Sequence, residues 1–173
     1  MTVRIVTDSA SDLTHDEATA LGIDVVPLSI RFGDDVFLDR VELGIDEFYR
    51  RMADSEDLPQ TAAPAPGAFQ EVFRRRFADG ADAIVCINLS SGVSATMESS
   101  ELAAREVDGD VRVVDSRSVT AGLGVMVQAA AQAAGRGASA DEIVTLGEGM
   151  RDRTRVFGAI DTLENLKKGG RIG

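Results

Sequence analysis

The chain has 173 residues, 44% of them apolar and 27% charged, which is enough apolar material for a packed core and excludes a disordered or coiled-coil protein. Its 18 basic residues against 29 acidic ones leave a net charge of −11, which would repel a phosphate backbone and excludes nucleic acid as a partner. One cysteine and one histidine allow neither an internal disulfide nor a zinc site of the usual kind, so no metal and no cofactor is expected.

Taken in chain order, four short β-branched runs read as strands, at 3–7, 25–30, 84–89 and 111–115. Each is nearly continuous in apolar character and bounded by Asp, Ser, Gly or Pro, the signature of strands buried on both faces. Helices fall between them. Thr14-His15-Asp16-Glu17 is a capping box opening a helix that stops at Gly22, with His15 a solvated first-turn residue. Residues 46–52, 66–77, 95–107 and 119–134 carry helical periodicity, and Ser139-Ala140-Asp141-Glu142 caps a helix running to Arg151. The segment 119–134 is so apolar that it is expected to be buried nearly all round, and Gly122 and Gly124 in it to permit close packing. Beyond Arg153 a strand at 156–160 and a third capped helix from Asp161 read as the opening of a second lobe. The predicted fold is therefore α/β, a mainly parallel sheet with helices on both faces. The expected organisation is a domain over 1–153, with 55–80 packing toward the second lobe, and a truncated lobe over 154–173.

Ligands of open α/β sheets bind beyond the carboxyl ends of the strands. Three loops qualify: Thr7 to Asp12, Ser90 to Thr96, and Asp115 to Gly122. The first and third share the pattern Val-x-Asp-Ser-x-Ser. The second, Ser90-Ser91-Gly92-Val93-Ser94-Ala95-Thr96, offers four hydroxyls and a glycine where a strand turns into a helix, and has no carboxylate of its own before Glu98. Backbone N–H groups and the positive end of the helix dipole converge there on an anion; the alternative is that Ser94 simply caps the helix. Asp8 and Asp12 read as turn and capping residues. Cys86 reads as a small buried hydrophobe. Gly92 to Thr96 approaches a nucleophile elbow, but no histidine is placed to activate Ser94, so no catalytic residue is assigned.

The residues just read resemble the DegV family of bacterial fatty-acid-binding proteins, which includes the FakB-type subunits of fatty acid kinase. The matching segments are Val6-Thr7-Asp8-Ser9-Ala10-Ser11-Asp12-Leu13, Val26-Pro27-Leu28 with Phe32-Gly33-Asp34, and Phe48-Tyr49-Arg50-Arg51-Met52. Pro59-Gln60-Thr61, Leu89-Ser90-Ser91-Gly92-Val93-Ser94, Val114-Asp115-Ser116 and Asp161-Thr162-Leu163-Glu164 through Gly169-Gly170-Arg171-Ile172 complete the set. The resemblance implies a protein that binds one long-chain fatty acid without transforming it and presents the carboxylate to a separate kinase subunit. By motif, Thr61, Ser91, Gly92 and Ser94 would hold the headgroup, and Arg171 would lie near its entrance or the partner surface. Family members are longer, so the chain reads as truncated at its C-terminus. An acyl tail suits such a site, since each buried methylene contributes about 0.8 kcal/mol and a long tail on the order of 10 kcal/mol gross. A ligand-free scaffold dimerising through apolar surface, and a small-anion phosphotransferase using the Ser90–Thr96 loop, are the alternatives. With no apolar run of spanning length and no secretory leader pattern, the expected location is the cytoplasm, without a membrane anchor.

Overall fold

The computed structural model describes all residues except Glu56, Arg171 and Gly173. The chain divides into two compact units, Met1–Val26 with Pro64–Val156, and Pro27–Ala63 with Phe157–Gly173. The cut near residue 153 expected from the sequence differs from this one chiefly in residues 27–63, which group with the C-terminal segment.

The first unit is built on a parallel sheet of β1 (Val3–Asp8), β2 (Ile23–Val26), β6 (Ala83–Asn88) and β7 (Asp110–Asp115), in the order β2-β1-β6-β7. The side-chain period of two distributes each strand between two cores. Val3, Ile5, Ile23, Val85, Ile87 and Val114 face one way, onto α1 (His15–Leu21), α5 (Thr120–Gly135) and α6 (Ala140–Arg151). Val6, Val26, Ile84 and Cys86 face the other way, onto α3 (Pro66–Ala78) and α4 (Thr96–Arg105), where Phe69 and Phe73 are fully buried. The predicted parallel sheet with helices on both faces is present.

Both capping boxes are formed. The Thr14 hydroxyl accepts the Glu17 N–H at 3.2 Å while Glu17 accepts the Thr14 N–H at 2.9 Å, and Ser139 and Glu142 repeat the exchange. Each carboxylate is held below its ordinary range chiefly by the N–H it accepts. Asp24, buried in β2, points at α3. It accepts from Arg76 Nε at 2.5 Å and from Arg75 at 3.0 Å, and pairing with Asp24 holds the Arg76 guanidinium above its ordinary value.

Four expectations need correction. The run 25–30 is not one strand: Pro27 removes a ladder N–H, and the chain breaks into β2 and a second strand of different sheet membership. Residues 156–160 form no strand. The last helix, α7 (Glu164–Lys168), begins later than the Asp161 cap predicts; the Thr162 hydroxyl accepts the Glu164 N–H at 3.2 Å instead. Finally α5 is not buried all round. Ala121, Val125, Gln132 and Gly135 form an exposed stripe, while Leu123, Met126, Val127 and Ala130 are buried. The close-packing role of its glycines does hold: a Cβ on Gly124 would lie 2.5 Å from the carbonyl oxygen of Ser11.

The second unit contains an antiparallel sheet that the sequence reading missed, ordered β4-β3-β5, with β3 (Ser29–Phe32), β4 (Asp35–Leu38) and β5 (Gln60–Ala62). It also holds α2 (Ile45–Asp54). Phe48 on α2 meets Phe32 edge-on at 5.8 Å, and Arg51 lies over the Phe37 ring at 4.7 Å.

Candidate functional site

The strand order sets the place of the site. From β1 the chain crosses by α1 to β2 on one side, and from β6 it crosses by α4 to β7 on the other. The carboxyl ends of β1 and β6 are therefore the topological switch point, where α/β sheets open a crevice. Two of the loops singled out in the sequence emerge there, and the third leaves β7 beside them.

The loop after β1 is built around Asp8, which is fully buried. Its Oδ1 accepts the Ala10 N–H at 3.0 Å, capping a 3-10 turn at Ser9–Ser11, and the turn closes at Asp12 with φ +57°. Its Oδ2 crosses to the neighbouring strand, accepting the Leu89 N–H at 2.9 Å and the Asn88 amide at 3.1 Å. Burial pushes the Asp8 carboxyl above its ordinary range, against the pull of these donors. Asn88 in turn accepts the Ser100 hydroxyl at 2.7 Å and faces the Cys86 thiol at 3.4 Å. The thiol is pushed well up by burial and by the Asp8 charge, so Cys86 is inert packing, as the sequence suggested. Sequence reasoning passed over Asn88 and Ser100. The available signal was a polar residue inside an otherwise apolar buried strand, which must find a partner.

The loop after β6 carries three of the five predicted ligand-binding residues. Ser91 and Gly92 are exposed and Ser94 is half-buried. The Ser94 hydroxyl lies 2.9 Å from that of buried Thr96 and accepts the Thr96 N–H at 3.3 Å, but the N-cap of α4 is Ala95, without a side-chain cap, so the helix-capping alternative for Ser94 is corrected. The next N–H groups of α4, those of Met97 and Glu98, have no intrahelical acceptor and give this end of the helix its positive character. Ser91, Ser94, Ala95, Met97, Glu98 and Glu101 line a surface groove of about 440 Å³. The groove offers an anion two hydroxyls and a helix N-terminus, bordered by a methionine and two carboxylates.

Another expectation about this loop is corrected. A carboxylate does compete for its donors, and it comes from β7: Asp115 accepts the Ser91 hydroxyl at 2.6 Å and the Ser91 N–H at 3.2 Å. Burial would raise the Asp115 carboxyl. The Ser91 hydroxyl, the N–H groups of Arg117 and Ser91 and the charge of Arg151 outweigh it, and hold the group below its ordinary range.

Thr61, the fourth predicted residue, lies in the second unit on β5, where it is exposed and opposite Ile30. Arg171, the fifth, falls outside the described residues. A further depression of about 290 Å³ sits at the amino end of β1, between Arg4, Gly22 and Ala131, away from the hydroxyl loops. No helix among the described residues is long and apolar enough to cross a membrane.

A family model described as an uncharacterised protein of the DegV family matches residues 2–173. A DegV domain-containing protein of Staphylococcus aureus is 37% identical over 168 residues, covering 97% of this chain and 60% of that protein. The structure of a DegV family protein from Thermus thermophilus, described by its fatty acid binding, superposes with a TM-score of 0.89 at 34% identity. That match covers 100% of this chain and 61% of the other. DegV of Bacillus subtilis, a fatty acid binding protein, gives a TM-score of 0.88 at 27% identity, over 99% of this chain and 61% of its own. The chain thus spans about three-fifths of the length of these relatives.

Proposed function

The chain belongs to the DegV family, and from that premise we propose that it binds one long-chain fatty acid without transforming it. The observation that carries the reading is its superposition, at a TM-score of 0.89, on three-fifths of the Thermus thermophilus protein whose fatty acid binding is described. The site supports it independently. An aliphatic tail supplies affinity through buried methylenes, and the headgroup then needs orientation more than strength. Neutral hydroxyls and a helix N-terminus give orientation while leaving the carboxylate oxygens nucleophilic. In this reading the Ser91–Ser94 loop supplies the headgroup contacts in the first unit; Thr61 is assigned to the headgroup, and Arg171 to its entrance or the partner surface, from their motifs alone.

The finer reading is that the bound carboxylate is presented to a separate fatty acid kinase subunit, which phosphorylates it. The exposure of Ser91 and Gly92 supports this, because a carboxylate at an exposed loop is within reach of an incoming phosphoryl group.

Native mass spectrometry of the purified chain, before and after loading with oleic acid, tests the proposal. The expected result is a mass increment of one fatty acid that is released on denaturation. A chain that stays empty at saturating oleate would overturn it. Ser94→Ala is expected to weaken binding about tenfold, the usual consequence of losing one hydrogen bond to a charged group.

A further inference from the structure

We propose that Asp115 is a positioning residue of the headgroup loop, and that Ser91 is a tether held by it and not a ligand contact. The inference rests on the fatty-acid reading above and assigns roles to its two serines.

The loop after β6 is clamped from both neighbouring strands. On the β1 side Asp8 accepts the Leu89 N–H, and on the β7 side Asp115 accepts both donors of Ser91. An N–H and an O–H converging on one carboxylate is the pairing a fatty acid headgroup would require of Ser91, and it is already filled from within the chain. A second carboxylate on the same donors would sit against Asp115, two like charges over one pair of hydrogens.

Asp115 is itself fixed in place. Its Oδ1 also accepts the Arg117 N–H at 2.9 Å, and Arg151 Nε donates to its carbonyl at 2.5 Å. The Ser90 N–H donates to the Ser118 carbonyl at 2.8 Å, and the Ser116 N–H to the Asn88 carbonyl at 3.1 Å, so the loops after β6 and β7 are zipped together. These bonds hold a segment in which Arg117 and β-branched Thr120 both take left-handed φ values, +50° and +51°, that neither residue type adopts readily.

Ser94 differs. Its oxygen receives the Thr96 N–H and shares with the Thr96 hydroxyl a contact in which either oxygen can donate, so no carboxylate of the chain holds it and it can turn to a ligand in the groove that it lines. Ser94 is thus the hydroxyl presented to a ligand carboxylate, and Asp115, through Ser91, sets where the loop places it.

The test is equilibrium binding of cis-parinaric acid, read by its own fluorescence, to the full chain and to Ser94→Ala, Ser91→Ala, Asp115→Ala, Asp115→Asn and the Ser91→Ala/Asp115→Ala double variant. Amide hydrogen exchange is measured on the same proteins free of ligand. Asp115→Ala is expected to weaken binding about threefold and Ser91→Ala by less, because the latter keeps the backbone N–H bonds to Asp115; the double variant loses no more than Asp115→Ala, since the hydroxyl bond is already gone in it. Asp115→Asn restores most of the affinity, since its oxygen still accepts the Ser91 and Arg117 N–H groups. Exchange at those two amides is expected to accelerate about tenfold in Asp115→Ala, as lost hydrogen bonding at a partly exposed loop permits. Ser91→Ala losing as much as Ser94→Ala while Asp115→Ala binds more tightly would overturn the proposal, making Ser91 the ligand contact and Asp115 its competitor. Additive losses in the double variant would overturn it as well. If the unmodified chain binds no probe, the fatty-acid reading itself fails, and unchanged exchange in Asp115→Ala would then remove the tether separately.

Discussion

Asp8 and Asp115 stand at the carboxyl ends of two strands of one sheet, in loops that share the pattern Val-x-Asp-Ser-x-Ser. Both begin the same way, each carboxylate accepting the N–H two residues on, from Ala10 at 3.0 Å and from Arg117 at 2.9 Å. Both then reach across to the loop after β6. Yet their carboxyls move in opposite directions, Asp8 up and Asp115 down. The local motif and the N–H donors are alike, so the difference comes from surroundings. Asp8 is fully buried, whereas Asp115 is partly solvated, receives a hydroxyl bond from Ser91 and feels Arg151. A repeated sequence motif specifies a local turn; burial decides what its carboxylate is worth.

The comparison is broken most directly by deleting each carboxylate. Asp8→Ala leaves the Leu89 N–H, the Ala10 N–H and the Asn88 amide without their acceptor in a site water does not reach. At about 1–3 kcal/mol for each unsatisfied buried donor, less the relieved cost of burying the charge, we expect a loss of about 3 kcal/mol or more in urea unfolding. Asp115→Ala is expected to lose only about 1 kcal/mol, because solvent replaces the carboxylate at exposed Ser91. Equal losses would show that the two loops are energetically equivalent and that burial is not the discriminating factor.

A smaller effect separates the loops by their backing. The turn after Asp8 lies on α5, where the Ser11 carbonyl approaches Gly124 so closely that a Cβ would stand 2.5 Å from it. Neither backbone moves cheaply, so Gly124→Ala is expected to destabilise by about 1–3 kcal/mol through overpacking. It should shift the amide resonances of Ser9 to Asp12 while leaving those of Ser116 to Ser118 in place. Equal shifts in both segments would mean that the loops move as one body.

These contrasts also mark what was legible in the sequence. The parallel sheet, its flanking helices and two capping boxes were readable, because continuous apolar runs, 3.6-residue periodicity and Ser/Thr-x-x-Glu are local signals. The antiparallel sheet was not. Gln60–Ala62 is three exposed residues, and Asp35–Leu38 carries no alternation of burial, so neither leaves a pattern to read. The segment 156–160 shows the converse, β-branched and aromatic residues without a partner strand to fix them, since propensity reports fit to a sheet and not its presence. At the site, a serine-rich turn between strand and helix was visible, but its clamp was not. Ser91 and Asp115 are 24 positions apart and meet only because β6 and β7 pair in register from Ala83 with Asp110 to Asn88 with Asp115.

The finest test of the comparison is titration, where the two carboxyls should pull stability in opposite senses. For Asp8 the folded value lies above the ordinary 3.8, so between the two the folded chain holds a proton that the unfolded chain has released. Stability therefore falls as pH rises through that window. For Asp115 the folded value lies below 3.8, so the unfolded chain holds the extra proton, and stability is lost as pH falls through the folded value. Carboxyl carbon-13 shifts followed from neutral to acid pH should show Asp8 protonating before Asp115. Ser91→Ala should then raise the Asp115 midpoint, since it removes a hydroxyl that favours the anion, and leave Asp8 where it was. A common midpoint for both groups would mean that water reaches Asp8, and that the clamp on the loop after β6 is open on its β1 side.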